Sequence, residues 1–155
     1  MIEVYIGLGS NKGDRMDYLA KAIRLIEENG CEIFRKSSVL ETESWGFKSA
    51  PFLNQVILIQ TKLSPLQLLE KFQFIEKELG RNQKSKQIGN HVEYHDRTID
   101  IDILLYGNQI INNKDLIIPH PEMQNREFVM IPFQEIADEK ALHFLNHSIK
   151  RSHEL

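Results

Sequence analysis

Two aspartates one residue apart, Asp100 and Asp102, lie inside the run Thr98-Ile99-Asp100-Ile101-Asp102-Ile103-Leu104. In a β-strand alternate side chains share a face. Ile99, Ile101 and Ile103 are therefore expected in a core, with both carboxylates projecting from the other side. Two carboxylates this close repel each other unless a cation lies between them. Hard oxygen donors suit Mg²⁺, which takes one or two carboxylates and completes its shell with substrate phosphates and water. Two such ions about 3.5–4 Å apart can clamp a transferring phosphoryl group. The same spacing also fits a half-exposed strand whose polar face carries two acids, although Asp is depleted in strands.

Cations surround the pair in sequence. Arg97 precedes it, Arg81 opens a polar stretch before it, Lys84 and Lys86 lie within that stretch, and His120 and Arg126 follow. Donors of this kind balance charge on polyphosphate oxygens. Each alone is also an ordinary surface charge; the signal is their grouping. His91 and His95 are four apart, but Gly89-Asn90 argues against the helix that a two-histidine metal site requires. Phe52 and Phe128 can stack on a flat ligand or fill a core. Asn54 stands near the start of an apolar run, where a buried amide can read a heterocycle edge. Gly7-Leu8-Gly9-Ser10-Asn11 has neither the Gly-Lys-Ser/Thr ending of a phosphate loop nor the third glycine of a dinucleotide fingerprint.

The elements that must position these groups follow from periodicity. Residues 2–8 read as a strand, and 15–28 as a helix with Asp14 as its cap and Asn29-Gly30 as its end. Residues 31–42 and 52–61 read as strands, with a loop at 44–51 between them. Ser64-Pro65 opens a second helix that runs to Gly80. Residues 81–97 read as one long loop, 98–106 as a strand, and 108–118 as a hairpin bent at Gly107-Asn108. A helix over 123–136 is expected to be interrupted or kinked at Pro132. The order β-α-β-β-α-β predicts an α+β, ferredoxin-like antiparallel sheet with helices on one face and the active site on the other.

The 155 residues predict one catalytic domain, 1–155. A net charge of −3 argues against a general nucleic-acid binder, though not against a pocket for one nucleotide. No apolar run is long enough for a membrane helix. The N-terminus lacks the features of a secretory signal, and one cysteine, Cys31, excludes an intrachain disulfide. The expectation is a cytoplasmic protein, monomeric by default.

The chain resembles the 6-hydroxymethyl-7,8-dihydropterin pyrophosphokinases. The resemblance runs from Tyr5-Ile6-Gly7-Leu8-Gly9-Ser10-Asn11 to about Ala137. It includes Phe52-Leu53-Asn54, Leu79-Gly80-Arg81, Asp96-Arg97-Thr98-Ile99-Asp100-Ile101-Asp102, Ile118-Pro119-His120-Pro121 and Arg126-Glu127-Phe128-Val129. It implies transfer of the terminal diphosphate of ATP to the hydroxymethyl group of a reduced pterin, with release of AMP, in folate biosynthesis. By position, Asp100 and Asp102 would bind two Mg²⁺ ions with ATP. Arg97 and Arg81 would stabilise the transferred group. Gln73, Glu76, His120 and Arg126 would bind ATP. Thr42, Trp45, Phe52, Asn54 and Phe128 would bind the pterin. Between Asn82 and Asp96 the chain departs from the family. The connection is longer, Tyr94-His95-Asp96 replaces a Trp-Gly-Pro, and Gln83, Lys84 and Lys86 stand where arginines are usual.

Two rivals use the same residues. An RNA-binding module would need exposed aromatics on a basic sheet face, where the Asp pair would instead repel phosphate. A metal-dependent nucleotide hydrolase would use the Asp pair but leave the pterin residues unexplained. Relief of repulsion between the two acids predicts that Asp100→Ala folds as wild type without metal.

Overall fold

The N-terminal alternation becomes strand β1 (Ile2–Ser10), with Val4, Ile6 and Leu8 packed in one core cluster and Tyr5 in another. The structure is a computed structural model that describes residues 1–43, 51–80, 86–88, 91–93 and 97–154, with side chains for 1–43, 51–80 and 97–148. Helix α1 (Arg15–Glu28) starts where the Asp14 side chain accepts the Asp17 N–H, and it buries Leu19, Ala22 and Ile26. β2 (Cys31–Lys36) and β3 (Leu40–Thr42) both pair with β4 (Phe52–Thr61). Helix α2 (Pro65–Glu78) opens on a capping box in which Ser64 and Gln67 satisfy each other's backbone N–H. It buries Leu68, Phe72 and Ile75. A short hairpin, β5 (Lys86–Ile88) and β6 (His91–Glu93), precedes β7 (Asp100–Tyr106).

The main sheet runs β2–β4–β1–β7, wholly antiparallel, with β3 continuing the β2 edge. With α1 and α2 on one face this is the ferredoxin-like fold, as expected. The other face is not bare. α3 (Glu127–Ile136) and α4 (Glu139–Glu154) bring Phe133, Ile136 and Leu145 onto Tyr5, Val56, Leu58 and Leu105. They leave only part of that face for a site. None of the described helices is long and apolar enough to cross a membrane.

Several local expectations change. The 31–42 strand is broken at Ser37, whose Oγ accepts the Val56 N–H at 2.9 Å while its own N–H reaches the Val56 carbonyl. The stretch 81–97 contains the β5–β6 hairpin. The second hairpin, β8 (Ile111–Asn112) with β9 (Ile117–Ile118), bends at 113–116 and not at Gly107. There the Asn113 side chain accepts the N–H groups of Asp115 and Leu116. The 123–136 helix divides at Arg126, which is extended between a 3₁₀ turn (Met123–Asn125) and α3. Pro132 lies inside α3 without ending it. α4 was not foreseen; Asp138 caps it, accepting the Ala141 N–H at 2.8 Å.

Candidate active site

β7 delivers the Asp pair as its alternation requires. Ile99, Ile101 and Ile103 are buried against α1 and α2, and Asp100 and Asp102 emerge on the opposite face. The ladder then fixes what faces them. Asp100 is level with Gly9, and Gly9 with Asn54; Asp102 is level with Gly7, and Gly7 with Val56. Two glycines therefore separate the acids from β4. With strands about 4.8 Å apart, that leaves a floor roughly 10 Å wide in which β1 contributes only backbone. Leu104 leans over its Gly7 end, with Cδ2 3.4 Å from where a Cβ on Gly7 would stand. The floor lies in a cavity of about 220 Å³. Glycine inside a strand commonly marks such a close approach of ligand to backbone. Neither Gly7 nor Gly9 was singled out for the site from the sequence, although their period-two spacing was visible.

On the β4 side the wall is built to recognise a heterocycle. Asn54 Nδ2 donates to Thr42 Oγ1 at 2.8 Å and to the Leu40 carbonyl at 3.5 Å. Its Oδ1 then faces β1, 3.4 Å from where a Cβ on Gly9 would stand, with Phe52 Cδ1 at 3.6 Å from the same point. A buried amide with its donor occupied presents an acceptor. Phe52 and Phe128 both border the cavity, as does Thr42. Arg15 braces this rim, donating to the Pro51 carbonyl at 2.8 Å and pairing with Glu41 at 3.0 Å.

On the β7 side the wall is polar. Arg97 Nη1 lies 3.3 Å and 3.5 Å from the two oxygens of Asp100. The Arg97 backbone is gripped by Asn11: its N–H donates to Asn11 Oδ1 at 2.7 Å, and the Asn11 N–H donates to its carbonyl at 3.0 Å. Asn11 was given no role of its own from the sequence. His120 follows a cis Ile118–Pro119 bond and is tied to the end of β7 by its N–H on the Leu104 carbonyl, 3.0 Å. The Glu122 N–H donates to His120 Nδ1 at 3.2 Å, so the ring proton sits on Nε2, which is left as a donor. Burial, then the Arg126 charge, lower the His120 pKa, while Glu122 opposes them. His120 is thus a neutral donor at neutral pH. Arg126 is held by Glu122 at 3.2 Å, with its guanidinium 5.7 Å from the Phe128 ring.

The cavity thus brings together Arg97, Asp100, Asp102, His120 and Arg126 with Thr42, Phe52, Asn54 and Phe128. Gln73 and Glu76 do not border it. Gln73 is exposed on α2, and Glu76 is buried, with its Oε2 accepting the Ile101 N–H at 2.9 Å. Arg81 and Trp45 lie outside the described residues. Among the described residues no group of three His, Cys, Asp or Glu side chains could hold a metal. Two carboxylates bordering a cavity instead suit a cation that brings its remaining oxygens from substrate and water, as Mg²⁺ does.

A family model described as 7,8-dihydro-6-hydroxymethylpterin-pyrophosphokinase matches residues 5–138. The chain belongs to this family. It is 43% identical over 139 residues to the 2-amino-4-hydroxy-6-hydroxymethyldihydropteridine pyrophosphokinase of Porphyromonas gingivalis, covering 88% of this chain and 92% of that one. It is 44% identical over 137 residues to the protein of that name from Aquifex aeolicus, covering 88% and 81%. Among solved structures, an HPPK-DHPS crystallised with substrates superposes with a TM-score of 0.64 at 14% identity, covering 87% of this chain and 39% of that one. A Plasmodium falciparum HPPK-DHPS gives 0.62 at 13% identity, covering 88% and 40%. These structural likenesses speak for the fold. The pyrophosphokinase match ends where α4 begins, so the cavity and all its walls fall within it.

Proposed function

We propose that this chain transfers the terminal diphosphate of ATP to the hydroxymethyl group of 6-hydroxymethyl-7,8-dihydropterin, releasing AMP. One observation carries the reading: a single cavity joins an aspartate pair with flanking cations to an amide acceptor and two phenylalanines across a glycine floor. A heterocycle fits the second half and a polyphosphate the first. The pterin would lie over Gly9 between Phe52 and Phe128, with an N–H donating to Asn54 Oδ1. The hydroxymethyl oxygen would then attack the β-phosphorus of ATP and lose its proton to solvent water. The bond to the oxygen bridging α and β breaks, and AMP leaves with the electron pair.

Asp100 and Asp102 would hold two Mg²⁺ ions, which neutralise charge on the phosphates when bound. Arg97 would turn from Asp100 toward the transferred group, and Arg126 from Glu122 toward the triphosphate. Neutral His120 would donate through Nε2. Such a site works by positioning and charge compensation and needs no covalent intermediate on the protein. The reading takes the protein as a monomer. The test is to incubate protein, ATP, Mg²⁺ and the pterin, and to separate the nucleotide products. AMP with pterin diphosphate is expected. ADP would mean transfer of one phosphoryl group, and nucleotide breakdown independent of the pterin would mean a hydrolase.

A further inference from the structure

Helix α4 lies beyond the part of the chain that the family model matches. Through Ala141 and Phe144 it borders Glu3, Gln60 and Leu105, at the strand ends opposite those that carry Gly9, Asn54 and Asp100. On its solvent side stand His143 and His147, both exposed and one turn apart. Their ring centroids are 3.9 Å apart and their planes are inclined by 38°.

One hydrogen bond bears on what this pair can bind. His147 Nδ1 lies 3.0 Å from the His143 carbonyl oxygen. A carbonyl oxygen only accepts, so Nδ1 carries a proton, and in the neutral ring Nε2 then holds the lone pair. A metal-ligating histidine has this arrangement, one nitrogen donating to a backbone carbonyl and the other free for the ion. Residues four apart on a helix have Cβ atoms about 5–6 Å apart, a spacing from which two imidazoles reach one ion.

We propose that His143 and His147 chelate one late first-row divalent cation, of the class of Zn²⁺, Ni²⁺ or Cu²⁺. Imidazole suits these ions, whereas Mg²⁺ prefers carboxylate, phosphate and water. The two ends of the sheet thus sort metals by donor chemistry. Among the described residues no third ligand of the usual kinds joins the pair, and water can take further positions on such an ion. The bound ion ties successive turns of α4 together. It stabilises the folded chain, because the unfolded one does not hold two rings at this spacing.

The test uses untagged protein in Mg²⁺-containing buffer, titrated with NiCl₂ by calorimetry. The set is wild type, His143→Gln, His147→Gln and the double variant. With one ring gone, the chelate's effective concentration is lost, so each single variant should bind about a hundredfold more weakly. The rise in thermal midpoint that nickel produces in wild type should vanish in the double variant. AMP formation should be the same in all four. Nickel binding unchanged by the substitutions, or weakened by one and not the other, would overturn the proposal and place the metal on other histidines.

Discussion

Asp100 is an expected metal ligand, and its carboxylate is paired with Arg97 at 3.3 Å. This bears on the expectation that Asp100→Ala folds as wild type. Relief of repulsion is offset by the loss of this partner for Arg97. Since each side chain of the pair is about a fifth exposed, the ion pair is partly screened. The metal-free variant should lose up to about 1 kcal/mol, read from its urea midpoint. His120 offers a pH test. Its folded pKa is below the ordinary value of 6.5, so the unfolded chain binds the proton more readily. The stability lost to this residue therefore grows as pH falls below about 6.5 toward the folded value, and is absent above it. Urea midpoints of wild type and His120→Gln should converge or cross on acidification, and parallel curves would contradict this. Gly9→Val should fold but block the floor, lowering kcat/KM for the pterin on the order of 100-fold. Asp100, Asp102, Phe52, Asn54 and Phe128 were legible because their types are odd for their places in a strand or are suited to a ligand. Gly9 and Asn11 were not, because their roles arise from neighbours brought by pairing and by an 86-residue separation.

At the scale of elements, β7 lies at the edge of the sheet among the described strands, and α2 packs beside it. The Glu76 carboxylate accepts the N–H of Ile101, the residue between the two aspartates. Glu76→Ala would strand that buried N–H at a cost of about 2 kcal/mol, while Glu76→Gln keeps an acceptor. Denaturation of the two variants should separate them clearly. The long periodic elements, β1, α1, β4 and α2, were readable from apolar spacing and caps. The breaks were not. β2 and β3 part where a serine hydroxyl replaces a ladder bond, and the 3₁₀ turn and α3 part at Arg126, where no Gly or Pro marks the change. Pro132 does not interrupt α3, because packing of Phe133 and Ile136 on the sheet holds the helix through it.

For the molecule as a whole, the two sheet faces divide the work. One is sealed by α1 and α2, and the other is half covered by α3 and α4, with the cavity in the remainder. The βαββαβ order made the first face legible. The cover on the second was not read from the sequence, although Ala141, Leu142, Phe144 and Leu145 already stand at helical spacing there. The central claim is that Asp100 and Asp102 serve the phosphates while the phenylalanines and Asn54 serve the heterocycle. The most direct test compares wild type with Asp102→Ala in two readouts: AMP formation over a range of Mg²⁺ concentrations, and pterin binding without nucleotide. The account predicts turnover lower by about a thousandfold at every Mg²⁺ concentration, with pterin affinity unchanged. Turnover near wild type, or pterin binding lost along with it, would contradict the division of the cavity into two halves.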